Sequence, residues 1–222
     1  MTGPDVEYCA ITMNTSESSM DASRPARHAW SLSVTDVTQA AVFAALVAAL
    51  GLPGTITIGS SGVPITLQTL GVMLAGSILG PRKGTLSIVI FGILAIAGLP
   101  ILAGGRSGLV SLASPTAGFF VGFLPAVIVI GVLTGWMMSV GARPRYHILW
   151  GIVINIVGGI IVLYACGIVG LLLRTDLSLW GAIYTNGVYL PGDIAKAVVT
   201  ALVASQVHRA YPGLITPLRR RA

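Results

Sequence analysis

Two ionisable side chains, Asp193 and Lys196, stand three residues apart in an apolar stretch that opens Tyr189-Leu190-Pro191-Gly192. On a helix that spacing puts both on one face. A lone charge at the centre of a bilayer costs about 3 kcal/mol or more, so such residues persist where they face a cavity or a partner. Two readings stand: an ion pair that neutralises itself, or a pair that touches a polar substrate. Arg106 lies in Ala103-Gly104-Gly105-Arg106-Ser107-Gly108, after Gly98-Leu99-Pro100. Glycines let backbone approach a ligand closely, and an arginine there can hold a carboxylate through two parallel hydrogen bonds. The same arginine at headgroup level could instead meet lipid phosphate. Gln68, in Val63-Pro64-Ile65-Thr66-Leu67-Gln68-Thr69, offers a donor and an acceptor on one amide. It suits a ligand or a helix–helix hydrogen bond worth about 1 kcal/mol.

Other chemistries have little to work with. The sequence contains no G-x-x-x-x-G-K-[ST] and no H-E-x-x-H, so neither a phosphate-cradling loop nor that zinc site is expected. It has no G-x-S-x-G elbow either. His28, His147 and His208 stand far apart. Cys9 sits in a polar tail and Cys166 in an apolar run, so no disulfide is expected, and the lack of C-x-x-C removes the usual redox or metal foothold. An enzyme acting within the membrane is a poor fit, and no cofactor is expected.

The elements that must position these residues are set by composition. The 222 residues are 55% hydrophobic and only 9% charged, with mean hydropathy +0.89, whereas soluble domains carry about 25% charged residues. Hydrocarbon is therefore the natural solvent, and the expected fold is an all-α membrane protein. Apolar stretches at about 37–52, 66–80, 84–99, 116–139, 147–173 and 189–207 predict a bundle of about six transmembrane helices. Thr35 or Asp36 is a candidate N-cap for the first. Residues 1–34 read as a disordered polar tail without the order of a signal peptide. Residues 35–210 form the transmembrane domain and 211–222 a basic tail.

The net charge of +6 and pI near 9.8 would suggest nucleic acid in a soluble chain. Here the basic residues sit at helix ends. With six spans, Arg24, Arg27, Arg82, Lys83, Arg143, Arg145, Arg209, Arg219, Arg220 and Arg221 share one side, and only Arg106 and Arg174 lie on the other. The positive-inside rule then places both termini in the cytoplasm. The same topology sets Gln68, Arg106, Asp193 and Lys196 at one depth near the external face. Four polar groups from three segments at one level point to an outward pocket for a small molecule bearing a carboxylate. The short second and third spans, bounded by Gly and Pro, either line that site or are merely tilted. In the first span Ala40, Ala44 and Ala48 form one file of small residues and Ala41, Ala45 and Ala49 the next. Such files allow close helix approach, to a partner or within the bundle.

In order along the chain, Val63-Pro-Ile-Thr-Leu-Gln-Thr-Leu-Gly-Val72, Ala75-Gly76 with Leu79-Gly80-Pro81, Gly98-Leu99-Pro100, Gly104-Gly105-Arg106-Ser107-Gly108, Ser114-Pro115-Thr116-Ala117-Gly118 and Pro191-Gly192-Asp193 with Lys196 resemble the BioY family. These are the biotin-binding S-components of energy-coupling factor (ECF) transporters. The likeness covers roughly residues 36–208. It implies six helices, a biotin site near the outer face, a transmembrane coupling subunit and two ATPase subunits. It further implies that Gln68, Thr66, Arg106, Tyr189, Asp193 and Lys196 bind substrate. Asp193 and Gln68 would meet the ureido ring, Arg106 or Lys196 the carboxylate, and Tyr189 the apolar body. The file Ala40, Ala44, Ala48 would face the coupling subunit. The long N-terminal tail and the roomy segment 171–188 depart from the pattern. The alternatives are an S-component for another vitamin, a solitary biotin uniporter and a membrane enzyme acting on lipid.

Overall fold

The computed structural model describes residues 33–52, 56–57, 64–139 and 145–215. The tail to residue 32, with Cys9, His28, Arg24 and Arg27, lies outside the described residues, as do Arg143 and Arg219, Arg220 and Arg221. From Val34 onward the chain forms one compact unit. Its helices are α1 (Val34–Ala49), α2 (Gln68–Leu74, continued as a π-helical turn Ala75–Leu79), α3 (Gly80–Ile96), α4 (Gly108–Leu112) and α5 (Ala117–Ser139), followed by α6 (Ile148–Arg174), α7 (Leu179–Gly187) and α8 (Leu190–Ala210). A two-residue antiparallel ladder pairs Ile56 with Ile65 and Thr57 with Pro64 between α1 and α2. All six apolar stretches of the sequence fall on helices, and the architecture is helical.

Among the described residues four helical runs are long and apolar enough to cross a bilayer: Gln68–Ile96, Ala117–Ser139, Ile148–Arg174 and Leu190–Ala210. The first of these is not one rod. Gly80 takes φ +74 and ψ −169, a conformation that glycine adopts without steric cost. A Cβ added at Gly84 would lie 2.8 Å from the Ala75 carbonyl oxygen, whereas nine residues of straight helix would separate them by about 13 Å. The chain therefore folds back at Gly80, and α2 and α3 run side by side.

Small residues set the helix spacing. A Cβ at Gly170 would come within 2.5 Å of the Gly118 Cα, and one at Gly131 within 2.7 Å of the Pro81 Cα. These contacts bring α5 against α6 and against the start of α3. In lipid, where apolar surface gains little by burial, close backbone packing of this kind is what holds helices together. The main core gathers Val47, Val72, Ile88, Phe91, Phe123, Val127 and Leu163 from α1, α2, α3, α5 and α6. Large apolar side chains such as Val42, Leu124, Trp150 and Leu173 face outward, as lipid contact requires.

Two expectations are corrected. The first helix starts at Val34, so Asp36 falls within its first turn instead of capping it. Asp36 stands 3.6 Å from the Lys83 ammonium. The file meant for a partner is turned inward: Ala40 and Ala44 are 0% and 3% exposed, and Ala48 packs partly buried on the same core. Ala41, Ala45 and Ala49 form the exposed file. The roomy segment 171–188 is largely helical. α6 runs to Arg174, and Ser178 caps α7 by accepting a hydrogen bond from the Gly181 N–H.

Candidate functional site

Every candidate substrate residue lines one cavity: Thr66, Gln68, Arg106, Tyr189, Asp193 and Lys196. The cavity has about 640 Å³ of atom-free space, the open solvent at its mouth included. It lies where the start of α8, the entry to α2, the loop after α3 and the start of α5 meet. The loop's course depends on backbone that only glycine adopts readily: Gly104 and Gly105 have φ of 74 and 70. Leu102 and Arg106 close it by a bridge, with the Leu102 N–H donating to the Arg106 carbonyl at 3.0 Å.

Asp193 and Lys196 pair at 2.8 Å and are both buried. The ammonium also donates to the Thr66 carbonyl at 2.6 Å and to Thr69 Oγ1 at 3.0 Å. An ammonium has three N–H groups, so all three are taken by the protein. Thr69 Oγ1 in turn donates to Asp193 Oδ1 at 3.3 Å, and the Tyr164 hydroxyl donates to Asp193 Oδ2 at 2.6 Å. A carboxylate has about four acceptor positions, which leaves Asp193 with one on Oδ2. The pair is thus held by α2 and α6 as well as by α8, and the spacing seen in the sequence is one part of a five-residue network.

Gln68 is 2% exposed. Its amide nitrogen donates to the Ile101 carbonyl at 3.1 Å and the Val47 carbonyl at 3.4 Å. Two carbonyls on that side fix the amide orientation, since only an NH₂ can satisfy both. Oε1 remains as the acceptor. Gly51 makes room for this arrangement, because a Cβ there would lie 2.6 Å from Gln68 Nε2. Arg106 uses Nε to donate to the Ala103 carbonyl at 3.0 Å. Its two terminal nitrogens have no partner among the described residues. Burial lowers its pKa from the ordinary value, yet a guanidinium stays charged in proteins, so an anion beside it would be favoured.

Apart from the hydroxyls of Ser111 and Thr116, the remaining wall is mainly apolar and aromatic. Phe119, Phe120 and Phe123 from the first turns of α5 line the cavity with Leu163 and Tyr164 of α6. Phe119 meets Tyr164 edge-on at 6.5 Å between ring centres. None of these residues, nor Thr69, stood out in the sequence. Tyr164 carried a signal, a lone phenol in an aliphatic run, while the three phenylalanines had none beyond their one-helix clustering. The arrangement offers acceptors at Gln68 and Asp193, free charged donors at Arg106 and an apolar slot between them. It suits a small, partly apolar molecule with N–H donors and a carboxylate. Among the described residues no group of three or more His, Cys, Asp or Glu side chains could hold a metal.

The sequence matches the BioY family over residues 20–213. The biotin transporter BioY of Rhizobium etli is 41% identical over 181 residues, covering 82% of this chain and 97% of that protein. The biotin transporter BioY of Rhodobacter capsulatus is 42% identical over 189 residues, covering 81% and 96%. The fold is similar, with a TM-score of 0.76 and 30% identity over 84% of this chain and 96% of the other, to a crystal structure of the S-component for biotin from an ECF-type ABC transporter. Transporter relatives and apolar helices together make this a multi-pass membrane protein. The chain belongs to the BioY family.

Proposed function

We propose that this protein is the biotin-binding S-component of an ECF-type uptake transporter in a bacterial cell membrane. The observation that carries the reading is the single cavity in which an uncommitted guanidinium, two acceptors and an aromatic wall come together. Biotin has a ureido ring with N–H donors, an apolar thiophane ring and a carboxylate tail. Asp193 Oδ2 and Gln68 Oε1 accept the ureido N–H bonds, and Arg106 grips the carboxylate. Phe119, Phe120, Phe123 and Tyr189 pack on the ring system. Lys196 and Thr66 hold Asp193 in place and do not themselves grip the carboxylate, since the ammonium's bonds are already spent.

In this reading α1, α2, α3, α5, α6 and α8 supply six crossings, both termini are cytoplasmic, and the cavity opens outward. The chain performs no covalent chemistry. With no nucleotide-binding motif of its own, it depends on a transmembrane coupling subunit and two ATPase subunits. The exposed file Ala41, Ala45, Ala49 takes the docking role that the buried file cannot. Equilibrium binding of labelled biotin to the purified protein tests this function. Biotin should bind and unlabelled thiamine or riboflavin should fail to displace it. Displacement by another vitamin at lower concentration than biotin would reassign the substrate.

A further inference from the structure

A second cavity lies at the other end of the bundle, between the end of α5, the start of α6 and the end of α8. His208 on its wall is fifteen residues along α8 from Asp193, about 22 Å of helix. Among the described residues the titratable side chains lining it are Arg145, Tyr146, His147, His208 and Arg209, with no carboxylate. Its rim is apolar and open: Leu149 and Trp150, in the first turn of α6, are 78% and 60% exposed. A positively charged hollow edged by outward-facing apolar and aromatic side chains at a span terminus is the setting in which acyl chains and a headgroup can be met together.

His208 gives this cavity a built component. It is 7% exposed. Its Nε2 lies 2.9 Å from the Ser77 carbonyl, which can only accept, so Nε2 carries the hydrogen. The ring stacks on Tyr146 at 5.3 Å. Nδ1 is buried and has no partner among the described residues. Buried polar atoms in native proteins are rarely left unmatched. With the hydrogen on Nε2, Nδ1 of the neutral ring is an acceptor, so a phosphate is met by charge-assisted bonds from Arg145 and Arg209.

We propose that this cavity holds the phosphate headgroup of an anionic phospholipid, with its acyl chains along Leu149 and Trp150. The site is separate from the biotin cavity and does not depend on that assignment. The test is native mass spectrometry of the full-length protein titrated with phosphatidylglycerol or phosphatidylcholine, for wild type, Arg145→Gln, Arg209→Gln and the double variant. At about 1 kcal/mol per basic residue near anionic lipid, each single variant should bind phosphatidylglycerol about fivefold more weakly and the double variant roughly thirtyfold. Phosphatidylcholine should bind all four proteins equally and weakly. Both arginines are exposed; were the double variant to misfold, the single variants decide. Equal retention of the two lipids, or unchanged phosphatidylglycerol binding in the variants, would overturn the proposal. So would displacement of the lipid by millimolar inorganic phosphate, which would mean that the site takes bare phosphate.

Discussion

Lys196 has three N–H bonds to give, and the fold takes all of them, whereas Arg106 spends only its Nε. The two cations are therefore expected to fail differently. Arg106→Gln should weaken biotin binding by about 1.5–3 kcal/mol, the range for bonds to charged groups. That is roughly tenfold to 150-fold, with little change in thermal midpoint. Titration with labelled biotin beside a melting curve checks both parts, and a loss of stability without a loss of affinity would contradict the assignment. Asp193→Asn should do the opposite first, because it leaves a buried ammonium without its counter-charge, at a cost of about 3–5 kcal/mol. Adding Lys196→Met should restore the melting temperature. If Asp193 also accepts a ureido N–H, the restored double variant still binds biotin at least about tenfold more weakly. Normal binding by a stable double variant would reduce the pair to a structural one. The sequence made Asp193, Lys196, Arg106 and Gln68 conspicuous because charges and amides are expensive in apolar segments. It could not show that Thr69 and Tyr164 complete the network, since a threonine and a tyrosine cost little there and draw no notice until the helices are packed.

Helix position was legible for a similar reason. Uninterrupted apolar runs bounded by Gly, Pro and Arg place α3, α5, α6 and α8 to within a few residues. What escaped is what hydropathy does not encode. The π-helical turns at Ala75–Leu79 and Val157–Val162 are local register changes inside otherwise ordinary runs. The Ser178 cap that starts α7 was there to be read in Ser178-Leu179-Trp180-Gly181, but the segment's mixed polarity hid a nine-residue helix. The facing of α1 was lost as well: both alanine files have the same spacing, so composition cannot decide which one turns inward. Burial does decide it, and this yields a paired prediction. Ala45→Trp, on the exposed file, should weaken copurification with the coupling subunit while folding and biotin binding persist. Ala44→Trp, in a site with 3% exposure, should destabilise the protein itself, since overpacking a filled core costs about 1–3 kcal/mol or more. Copurification yield and melting temperature, read for both variants, separate the two faces; equal association of Ala45→Trp and wild type would remove that face from the interface.

For the whole molecule, the central idea is a division of labour along the bundle: a ligand cavity at one end and a basic hollow at the other, joined by α8. The sequence reached the first end because motifs from three separated segments had to share a depth, and the reversal at Gly80 is part of what brings α2 into that level. The second end was visible only as basic residues at helix termini, because its defining feature, a buried histidine nitrogen with no partner, exists only in three dimensions. The most direct test is a crystal structure of the full chain with biotin bound. The account predicts the ureido ring beside Asp193 and Gln68, the bicycle against Phe119, Phe120 and Phe123, and the carboxylate within about 3 Å of Arg106, the length of a charge-assisted hydrogen bond. Biotin found in the basic cavity, or in the Arg106 cavity with its carboxylate turned away from Arg106, would contradict it.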